Sequence, residues 1–380
     1  MTAPRVLGVF VDRPWPGVTG DMQRVRALVD AIQPVSDLSI FLAPRGTGAG
    51  RPPVELRVVE VARTRGRGRA AARFVAGIPR ARPPMMAFYR QPAVRRALAR
   101  VLAELQPDVV LTHHLGGAAL VDGLVNPAKV ILDLPNNEVQ RFGRMVGVAQ
   151  GLQKARFRAE RALTKRWVQR HMPSYRAVLV VSSEDEAAYR ALAPSARLMT
   201  VANGTSPPVD PRADPGGCEI LFLGDLEYAP NREGLTWFVE HVLPNSAAVS
   251  ALRVAGRGPA PVAERVDALG FVDDLEAELD RVVAMVVPIR AGGGTRLKVL
   301  EAFGHGVPVI STELGVEGLG AQPGVHYLAA ESPTQWVDAL EAVIRDESLR
   351  QRLSAAGRAL VDANFTWPDV TAPLVELMRP

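Results

Sequence analysis

The sequence contains little cysteine and no long apolar run, and each absence excludes a class of protein. Cys218 is the one cysteine among 380 residues, which excludes an intramolecular disulfide framework and a zinc cluster built from several cysteines. No apolar stretch approaches the roughly 18 residues that a membrane-spanning helix needs. Residues 1–11 lack the basic, apolar and small-residue order of a secretory signal. We therefore expect a cytoplasmic enzyme or binding protein.

Lysine is also scarce, because only four of the 45 basic residues are lysines. The charge is divided unevenly: residues 1–205 carry 31 Lys and Arg against 15 Asp and Glu, whereas residues 206–380 carry 14 against 25. This division predicts two bodies with different partners. The Arg-rich region 63–100 could face an anionic membrane or a phosphate-bearing acceptor, or form a solvated insertion. Nucleic acid is a poorer partner, because few aromatic residues are available to stack on bases.

Short apolar strands alternate with amphipathic helices along the chain. Arg5–Val11 opens this pattern in the first half, and Glu219–Leu223 opens it again in the second. Continuously apolar strands that alternate with helices are typical of a parallel sheet covered on both faces. We also predict one long helix from Val148 to about Gln169. Ser206–Gly217, with four prolines and two glycines, has the composition of a linker between two α/β domains.

The densest chemical signal is Pro288–Ser311, which reads PIRAGGGTRLKVLEAFGHGVPVIS. A strand ends at Pro288, and a helix starts near Thr295 after three glycines, Gly292, Gly293 and Gly294. Glycines at such a position let backbone N–H groups approach an anion, and the N-terminus of a helix favours negative charge. The segment therefore predicts an anion site.

Two cations stand at the start of this predicted helix. Arg296 and Lys298 are unfavourable there for a helix alone, because cations stabilise the opposite end. A bound anion such as a diphosphate would resolve the conflict. Glu301 lies on the first turns, where its carboxylate could accept hydrogen bonds from ribose hydroxyls. A plain glycine-rich turn beside two solvated cations is the alternative explanation.

Several segments resemble one known family. GGGTRLKVLEAFGHGVPVIST is similar to the donor-site segment of family-4 (GT4) retaining glycosyltransferases, which reads roughly G-x-G-T-R-x-K-x-x-E-A followed by G-x-P-V-[IV]-[SA]-T. ILFLGDLEYAPNREGLTWFVEHVLP, VANGT (Val201–Thr205) and VLTHHLGG (Val110–Gly117) resemble further segments of that family. The resemblance spans most of the chain, is most specific across Pro288–Thr312 and is weakest in Arg45–Arg100.

The resemblance implies an α/β fold of the GT-B type, in which two Rossmann-like domains with parallel sheets face a central cleft. Residues 1–205 would form the N-terminal, acceptor-side domain, and residues 206–365 the nucleotide-sugar-binding domain. Residues 366–380 would form a C-terminal helix that crosses back to the first domain.

In the first domain, the resemblance implies two site residues. Gly20 would lie close to the donor phosphates, and His113 would contact the donor sugar. His114 is the weaker candidate of the adjacent histidines. The local alternatives are an ordinary strand-to-helix turn at Gly20 and a structural histidine at position 113.

In the second domain, the sequence Gly-Phe-Val-Asp-Asp resembles a family loop whose backbone reads the nucleobase. Phe271 and Val272 would make those contacts, and Arg257 is a further candidate for the same pocket. The alternative is the end of a strand followed by a helix that Asp273 or Asp274 caps.

The sequence departs from the family at the donor diphosphate. Many members carry a G-R-x-x-x-x-K pair after the first strand of the second domain. Here Gly224 is followed by Asp225, and Asn231 lies close to the lysine position. Asp225 would repel a phosphate, which leaves Arg296 and Lys298 to supply the positive charge.

A second departure concerns the paired glutamates of the family, spaced E-x7-E. Glu301 matches the ribose-binding member of the pair, while Gly293 stands in place of the first, so backbone N–H groups would contact the donor sugar. The sequence contains no D-x-D motif, and we expect neither a metal ion nor a cofactor apart from the donor substrate. Fixed cations and helix dipoles would replace the metal.

We predict a retaining, metal-independent glycosyltransferase that moves a sugar from a nucleoside-diphosphate sugar to an acceptor hydroxyl. His113, Arg296 and Lys298 would carry the chemistry. The acceptor could be a saccharide, a lipid-linked molecule or a small natural product, and a peripheral contact with the inner face of an anionic membrane is open. Two alternatives are a non-hydrolysing nucleotide-sugar epimerase of the same fold and a catalytically inactive nucleotide-sugar-binding partner.

Overall fold

Two compact units make up the chain. The computed structural model describes residues 3–11, 15, 20–44, 56–62, 82–206, 212–291 and 297–378. Unit 1 comprises Met1–Ala202 and Thr371–Pro380, and unit 2 comprises Asn203–Val370. Each unit contains its own sheet, in which every pair of neighbouring strands is parallel.

The described residues of unit 1 form a seven-stranded sheet. Its strands are β1 (Arg5–Phe10), β2 (Asp37–Leu42), β3 (Arg57–Glu60), β4 (Val109–His113), β5 (Val130–Asp133), β6 (Ala177–Val180) and β7 (Leu198–Thr200). Their order in the sheet is β3-β2-β1-β4-β5-β6-β7. Every residue of β4, β5 and β6 is buried, as expected for apolar strands that helices cover on both faces.

Helices connect these strands and supply the covering layers. They are α1 (Gly20–Ile32), α2 (Met86–Tyr89), α3 (Pro92–Leu105), α4 (His114–Val121), α5 (Glu138–Val148), α6 (Gly151–His171) and α7 (Ser183–Leu192). The predicted long helix from Val148 to about Gln169 is confirmed as α6, although α6 begins at Gly151. Ala149 and Gln150 have extended backbones, and Gly151 has φ +54°, a left-handed conformation that favours glycine, so the residues up to Val148 belong to the separate helix α5.

The described residues of unit 2 repeat the alternation around a six-stranded sheet. Its strands are β8 (Glu219–Leu223), β9 (Ala251–Ala255), β10 (Val266–Gly270), β11 (Ala284–Val287), β12 (Val309–Ser311) and β13 (Leu328–Ala329), in the order β10-β9-β8-β11-β12-β13. Its helices are α8 (Ala229–His241), α9 (Leu275–Arg281), α10 (Leu297–Gly304), α11 (Pro333–Arg345) and α12 (Glu347–Asn364).

The last helix belongs to both units. α13 (Trp367–Met378) begins among the residues of unit 2 and ends among those of unit 1. Leu374, Leu377 and Met378 are buried in the core of unit 1, together with side chains of β1 and α1. None of the described helices combines the length and the apolar character needed to span a bilayer.

Both sheets reverse their strand order at one central pair of strands. In unit 1 the chain proceeds from β1 outward to β2 and β3, and β4 then pairs with the other side of β1. In unit 2 it proceeds from β8 to β9 and β10, and β11 pairs with the other side of β8. Ligands of open parallel sheets bind beyond the carboxyl ends of the strands at such a reversal point. Each unit therefore has one preferred place for a site.

Candidate functional site

In unit 2, Gly224 follows β8 directly and lies against the ends of two side chains. A Cβ at this position would stand 2.8 Å from the Lys298 ammonium nitrogen and 2.9 Å from the Asn231 amide nitrogen. A side chain here would displace one or both of these groups, so glycine leaves them in place. The structure thus brings together Gly224 after β8, Asn231 in α8 and Lys298 in α10, at the reversal point of the sheet.

Lys298 is held in place by its surroundings. Its ammonium donates a hydrogen bond to Asn231 Oδ1 at 2.9 Å and lies 5.0 Å from the centre of the Phe222 ring. Asn231 in turn donates from Nδ2 to the backbone carbonyl of Asp225 at 2.9 Å. These contacts fix a positive charge beside the loop that follows β8. The sequence analysis predicted this cation and placed Asn231 close to the lysine position of the family's G-R-x-x-x-x-K pair, but it did not predict that Asn231 and Lys298 are hydrogen-bonded.

Asp225 does not leave an uncompensated negative charge in this loop. Its carboxylate pairs with Arg257, which follows β9, and also accepts a hydrogen bond from the backbone of Glu227 at 2.9 Å. Arg257 is therefore placed next to the Gly224 loop, but its guanidinium is engaged in an ion pair. Among the described residues, Lys298 is then the cation that contacts Gly224, while the repulsion that the sequence predicted from Asp225 is reduced by its ion pair with Arg257.

Glu301 lies one turn after Lys298 in α10. It accepts a hydrogen bond from the hydroxyl of Thr205 at 3.2 Å. Burial raises the pKa of the Glu301 carboxyl above its usual range, and neither the charge of His305 nor the bond from Thr205 fully offsets this. A partly buried carboxylate with a raised pKa costs stability when it ionises, and such groups cluster at functional sites.

The remaining predicted residues of unit 2 are placed less centrally. Phe271 and Val272 follow β10, two strands from β8, and the Phe271 side chain is exposed. The local alternative of a capped helix is confirmed, because Asp274 accepts a hydrogen bond from the Ala277 backbone at the start of α9. The cap and a backbone contact by Phe271 or Val272 are compatible, since they use different groups.

The glycine turn after β11 lies outside the described residues. This applies to Gly292, Gly293, Gly294, Thr295 and Arg296, whose predicted roles stay predictions. The described chain resumes at Leu297, the first residue of α10. Lys298 is thus in the first turn of α10, as the sequence predicted.

In unit 1, His113 ends β4 at the reversal point and is buried. Its Nδ1 lies 2.6 Å from Asp133 Oδ2, at the end of β5. Asp133 also accepts hydrogen bonds from Arg24 of α1, at 3.1 and 3.0 Å from Nε and at 2.6 Å from Nη2. All three side chains are almost fully buried. The ring nitrogen Nε2 of His113 is buried and has no hydrogen-bond partner among the described residues.

This network sets the charge states of its members. Burial and the neighbouring His114 lower the pKa of His113, and the Asp133 carboxylate opposes that effect only in part. Burial alone would raise the pKa of Asp133, but the Arg24 guanidinium and the hydrogen bond to His113 together outweigh burial and hold that pKa well below its usual range. An ionised Asp133 beside a neutral His113 fixes the tautomer, with the proton on Nδ1 and a lone pair on Nε2.

His114 and Asp21 form a second pair at the same edge. His114 Nε2 lies 3.2 Å from Asp21 Oδ2, and the rings of His113 and His114 are 4.1 Å apart between centroids. His114 has φ 60°, which is unusual for a residue other than glycine. Gly20, the predicted phosphate contact, is the first residue of α1 and precedes Asp21.

The sequence analysis missed Asp21, Arg24 and Asp133. Sequence features could have identified two of them, Asp133 and Arg24. Asp133 is a charged residue at the end of an apolar strand, the same pattern that identified His113. Arg24 lies on the side of α1 that Leu28 and other apolar residues bury, where a charged residue needs a partner. No local pattern distinguishes Asp21 from an acidic residue that merely favours a helix N-terminus.

Comparisons with known proteins agree with this architecture. Residues 217–346, which contain all the described site residues of unit 2 except Thr205, match the family described as "Glycosyl transferases group 1". An uncharacterized 44.6 kDa protein in the cps region of Klebsiella pneumoniae is 27% identical over 130 residues, which cover 30% of this chain and 34% of that protein. The match thus spans about a third of the length of that relative.

Solved structures resemble the whole chain. Sucrose-phosphate synthase from Thermosynechococcus elongatus is 17% identical with a TM-score of 0.73, and the comparison covers 98% of both chains. Anabaena HepE in complex with UDP and glucose is 13% identical with a TM-score of 0.68, again over 98% of both chains. S. aureus TarM, in a complex that contains UDP, is 11% identical with a TM-score of 0.61 over 76% of this chain and 59% of its own.

These likenesses show the fold. The expected α/β class with two parallel-sheet, Rossmann-like units is confirmed, and the fold is that of the GT-B glycosyltransferases. Together with the family match of residues 217–346, the fold supports a glycosyltransferase.

Proposed function

We propose that the protein is a retaining glycosyltransferase that moves a sugar from a nucleoside-diphosphate sugar to an acceptor hydroxyl. One observation carries the proposal: the Lys298 ammonium is held by Asn231 against Gly224, at the reversal point of the unit 2 sheet. This cation lies within the segment that matches glycosyl transferases group 1. A cation that is held in position before the substrate binds can stabilise an anionic leaving group.

The chemical role of Lys298 follows from charge development. As the bond between the anomeric carbon and the diphosphate oxygen breaks, negative charge grows on the diphosphate. A cation that is already oriented stabilises that charge without reorganising during the reaction. We assign the same task to Arg296 and to the backbone N–H groups of residues 292–295. We assign ribose binding to Glu301 and nucleobase contact to Phe271 and Val272.

The retaining outcome is proposed from the resemblance to the GT4 family. The acceptor oxygen attacks the anomeric carbon from the face that the diphosphate leaves, so one carbon–oxygen bond forms and one breaks at the same face. The acceptor proton passes to the departing phosphate oxygen. His113 is assigned to the donor sugar, because its neutral Nε2 has no hydrogen-bond partner among the described residues. No metal ion is required in this scheme.

A uridine nucleotide is the donor that the comparisons favour. Two similar structures, HepE and TarM, are complexes that contain UDP, and another HepE structure contains UDP-glucose. We therefore propose a UDP-sugar as the donor and a saccharide or lipid-linked hydroxyl as the acceptor.

We also propose that α6 contacts an anionic membrane. This helix carries seven Lys or Arg residues and one acidic residue, Glu160, which is buried. Lys154, Arg158, Arg161 and Lys165 share one side of the helix, because their spacing of three and four residues returns to the same face. Each Lys or Arg near an anionic surface contributes about 1 kcal/mol of binding.

Vesicle sedimentation at low salt tests the membrane contact. The wild-type protein is expected to sediment with anionic vesicles and not with neutral ones. The double variant Arg158→Glu and Lys165→Glu should remain in the supernatant. Equal sedimentation of both proteins would remove α6 from the proposal.

A donor screen followed by product analysis tests the proposed reaction. UDP-, GDP-, ADP- and dTDP-sugars are compared by thermal shift, because a ligand that binds the native state raises the melting temperature. The donor that binds is then incubated alone and with an acceptor panel. Sugar transfer to an acceptor supports the proposal. Isomerisation of the donor alone would support an epimerase, and binding without either reaction would support an inactive partner.

A further inference from the structure

A cavity lies beside α13 in unit 1, at the edge of the sheet opposite to His113. Its volume is about 380 Å³, which is sufficient for a small molecule. Arg176 and Arg197 each precede a strand, β6 and β7, by one residue, whereas His113 ends β4, and these strands are parallel. The residues that line this cavity, called the α13 cavity below, are Arg176, Arg197, Met199, Pro373, Glu376 and Leu377.

Backbone pairing fixes the two arginines at neighbouring positions. β6 and β7 are adjacent in the sheet, and the backbone N–H of Val178 donates to the carbonyl of Arg197 at 2.9 Å. The backbone N–H of Arg176 donates to the carbonyl of Val130 at 2.9 Å. Both side chains therefore start from ordered backbone at one edge of the sheet, and both line the same cavity.

The charges of these arginines have little compensation. Arg176 Nη2 donates to the Leu377 carbonyl, near the end of α13, at 3.3 Å. Its Nε is buried and has no hydrogen-bond partner among the described residues. Arg197 is exposed and forms no ion pair within the described part of the chain. Two guanidinium groups and one carboxylate, that of Glu376, thus line the cavity, which gives its lining a net positive charge.

Capping of α13 explains only one of the two arginines. A cation near the last carbonyls of a helix stabilises that end, and Arg176 does so through its bond to Leu377. Arg197 makes no such bond among the described residues. The unpartnered Nε of Arg176 costs free energy, and an oxyanion beside the guanidinium supplies acceptors. The arrangement therefore indicates an anionic ligand.

The α13 cavity is separate from the basic face of α6. Successive residues of a strand point to opposite faces of the sheet. Leu179 of β6 belongs to the same core cluster as Leu374 of α13, whereas Val178 belongs to another cluster with Trp167 of α6. α13 and α6 therefore cover opposite faces, and a bilayer held by α6 is not the source of the ligand.

We propose that the α13 cavity binds the phosphate group of a soluble phosphorylated small molecule. Guanidinium groups present N–H donors in a planar fork that matches two oxygens of a phosphate. Arg176 and Arg197 would hold the phosphate, and Glu376 would accept a hydrogen bond from a hydroxyl of the same molecule. The apolar lining residues would cover the rest of the ligand. This inference does not depend on the proposed function, because binding is measured without donor or acceptor.

Calorimetric titration with inorganic phosphate and with glucose 6-phosphate tests the site. The full-length chain used for every titration carries Lys298→Ala, which removes the described cation of the proposed donor site, so that the two sites are distinguished. Each probe is expected to bind saturably at one molecule per chain. Unphosphorylated glucose, which lacks the anionic group, is expected not to bind.

Three substitutions and one control are added to this chain. Arg176→Gln and Arg197→Gln should each weaken binding about tenfold or more, the scale of one charge-assisted hydrogen bond. Glu376→Gln should strengthen the binding of inorganic phosphate, because it removes a negative charge from the lining. Arg5→Gln is the matched control with unchanged affinity, since Arg5 begins β1 at the same edge of the sheet and its ion pair is on the surface.

The variant Arg197→Gln decides the outcome, because its exposed side chain has no ion pair to lose within the described residues. Binding of either probe that is weakened in Arg197→Gln and kept in Arg5→Gln supports the site. Absence of saturable binding, or full affinity in Arg197→Gln, overturns it. Sedimentation with phosphatidic acid vesicles that Arg197→Gln abolishes, while neither probe binds, would identify a lipid headgroup and overturn the soluble ligand. The melting temperature of each variant shows whether the chain has folded.

Discussion

The reversal points of the two sheets carry opposite kinds of charge. At the edge of unit 1 lie two carboxylates and two histidines, with one arginine neutralising the deeper carboxylate. At the edge of unit 2 lies a lysine, with Asp225 neutralised by Arg257. The net charge of the sequence has the opposite sign in each half, because residues 1–205 are basic overall and residues 206–380 are acidic overall. The net charge of each half of the sequence therefore does not predict the charge of the site in that half.

The charged side chains at the two edges also differ in their burial and in the kind of partner they have. Arg24 and Asp133 are completely buried and paired through several hydrogen bonds, whereas Lys298 is only partly buried and has a neutral amide as its partner. A buried charge that loses its partner damages the fold, while a partly buried cation can be removed with little structural cost. We therefore expect changes at the unit 1 edge to reduce stability and changes at the unit 2 edge to reduce activity.

The largest effect is expected from Arg24→Met. This change leaves the Asp133 carboxylate buried beside the neutral His113 and without the Arg24 charge, and breaking a buried ion pair costs about 3–5 kcal/mol of unfolding free energy. Chemical denaturation measures the loss. Arg26→Met on the same helix is the matched control, since its ion pair with Asp30 is exposed and such pairs contribute about 0–1 kcal/mol. Equal losses in the two variants would contradict the difference between buried and surface pairs.

The second effect is the loss of turnover in Lys298→Ala. Removing one oriented group that stabilises developing charge costs about 10²- to 10³-fold in rate, so a loss of at least about 10²-fold in kcat is expected with the melting temperature nearly unchanged. Lys129→Ala, an exposed lysine in unit 1, is the control with unaltered kcat. If Lys298→Ala transferred sugar as fast as the wild type, the assigned role of Lys298 would be wrong.

A smaller effect is expected from the residue that positions this lysine. Asn231→Ala removes the acceptor of the Lys298 hydrogen bond, and one net hydrogen bond of about 1 kcal/mol corresponds to roughly a fivefold to tenfold loss in kcat. Asn231→Asp separates positioning from charge, because it keeps the acceptor but adds a negative charge beside the diphosphate. Its UDP affinity should fall below that of Asn231→Ala. The reverse order would show that Asn231 does not act through Lys298.

The smallest expected effect is a pH-dependent change in the melting temperature of the Glu301→Gln variant. Since burial raises its pKa in the folded state, Glu301 favours folding most when it is protonated, and that contribution disappears as pH rises through the raised pKa. Glu301→Gln should therefore melt at nearly the wild-type temperature near pH 4 and at a higher temperature near pH 7. UDP binding should weaken in the same variant. A difference in melting temperature that stays constant with pH would exclude this role of burial.

Much of the fold could be predicted because its signals are local. Uninterrupted apolar strands such as AVLV predict coverage on both faces of a sheet, and every residue of β4, β5 and β6 is indeed buried. The long helix α6 was predicted to begin at Val148 and begins at Gly151, because the helical spacing of apolar residues does not report the extended backbones of Ala149 and Gln150 or the left-handed backbone of Gly151. The separate helix α5 before it was not predicted.

The two sites differed in how far the sequence revealed them. Lys298 was identifiable because lysine is rare in this chain and because it stands at a helix start, where a cation needs a reason. The Arg24–Asp133 pair was not identifiable, because its members are 109 residues apart and meet only when β5 and α1 reach the same edge of the sheet. The predicted role of Arg257 in the nucleotide pocket stays a prediction, and its partner in the structure is Asp225, which the sequence analysis had treated as an unpaired negative charge.

The most direct test is a crystal structure of the full chain with UDP bound. We predict that an oxygen of the diphosphate lies about 2.7–2.9 Å from the Lys298 ammonium, a distance typical of a charge-assisted hydrogen bond. Gly224 should then contact the same nucleotide. UDP bound at another edge of the sheet, or a diphosphate out of reach of this ammonium, would contradict the assignment.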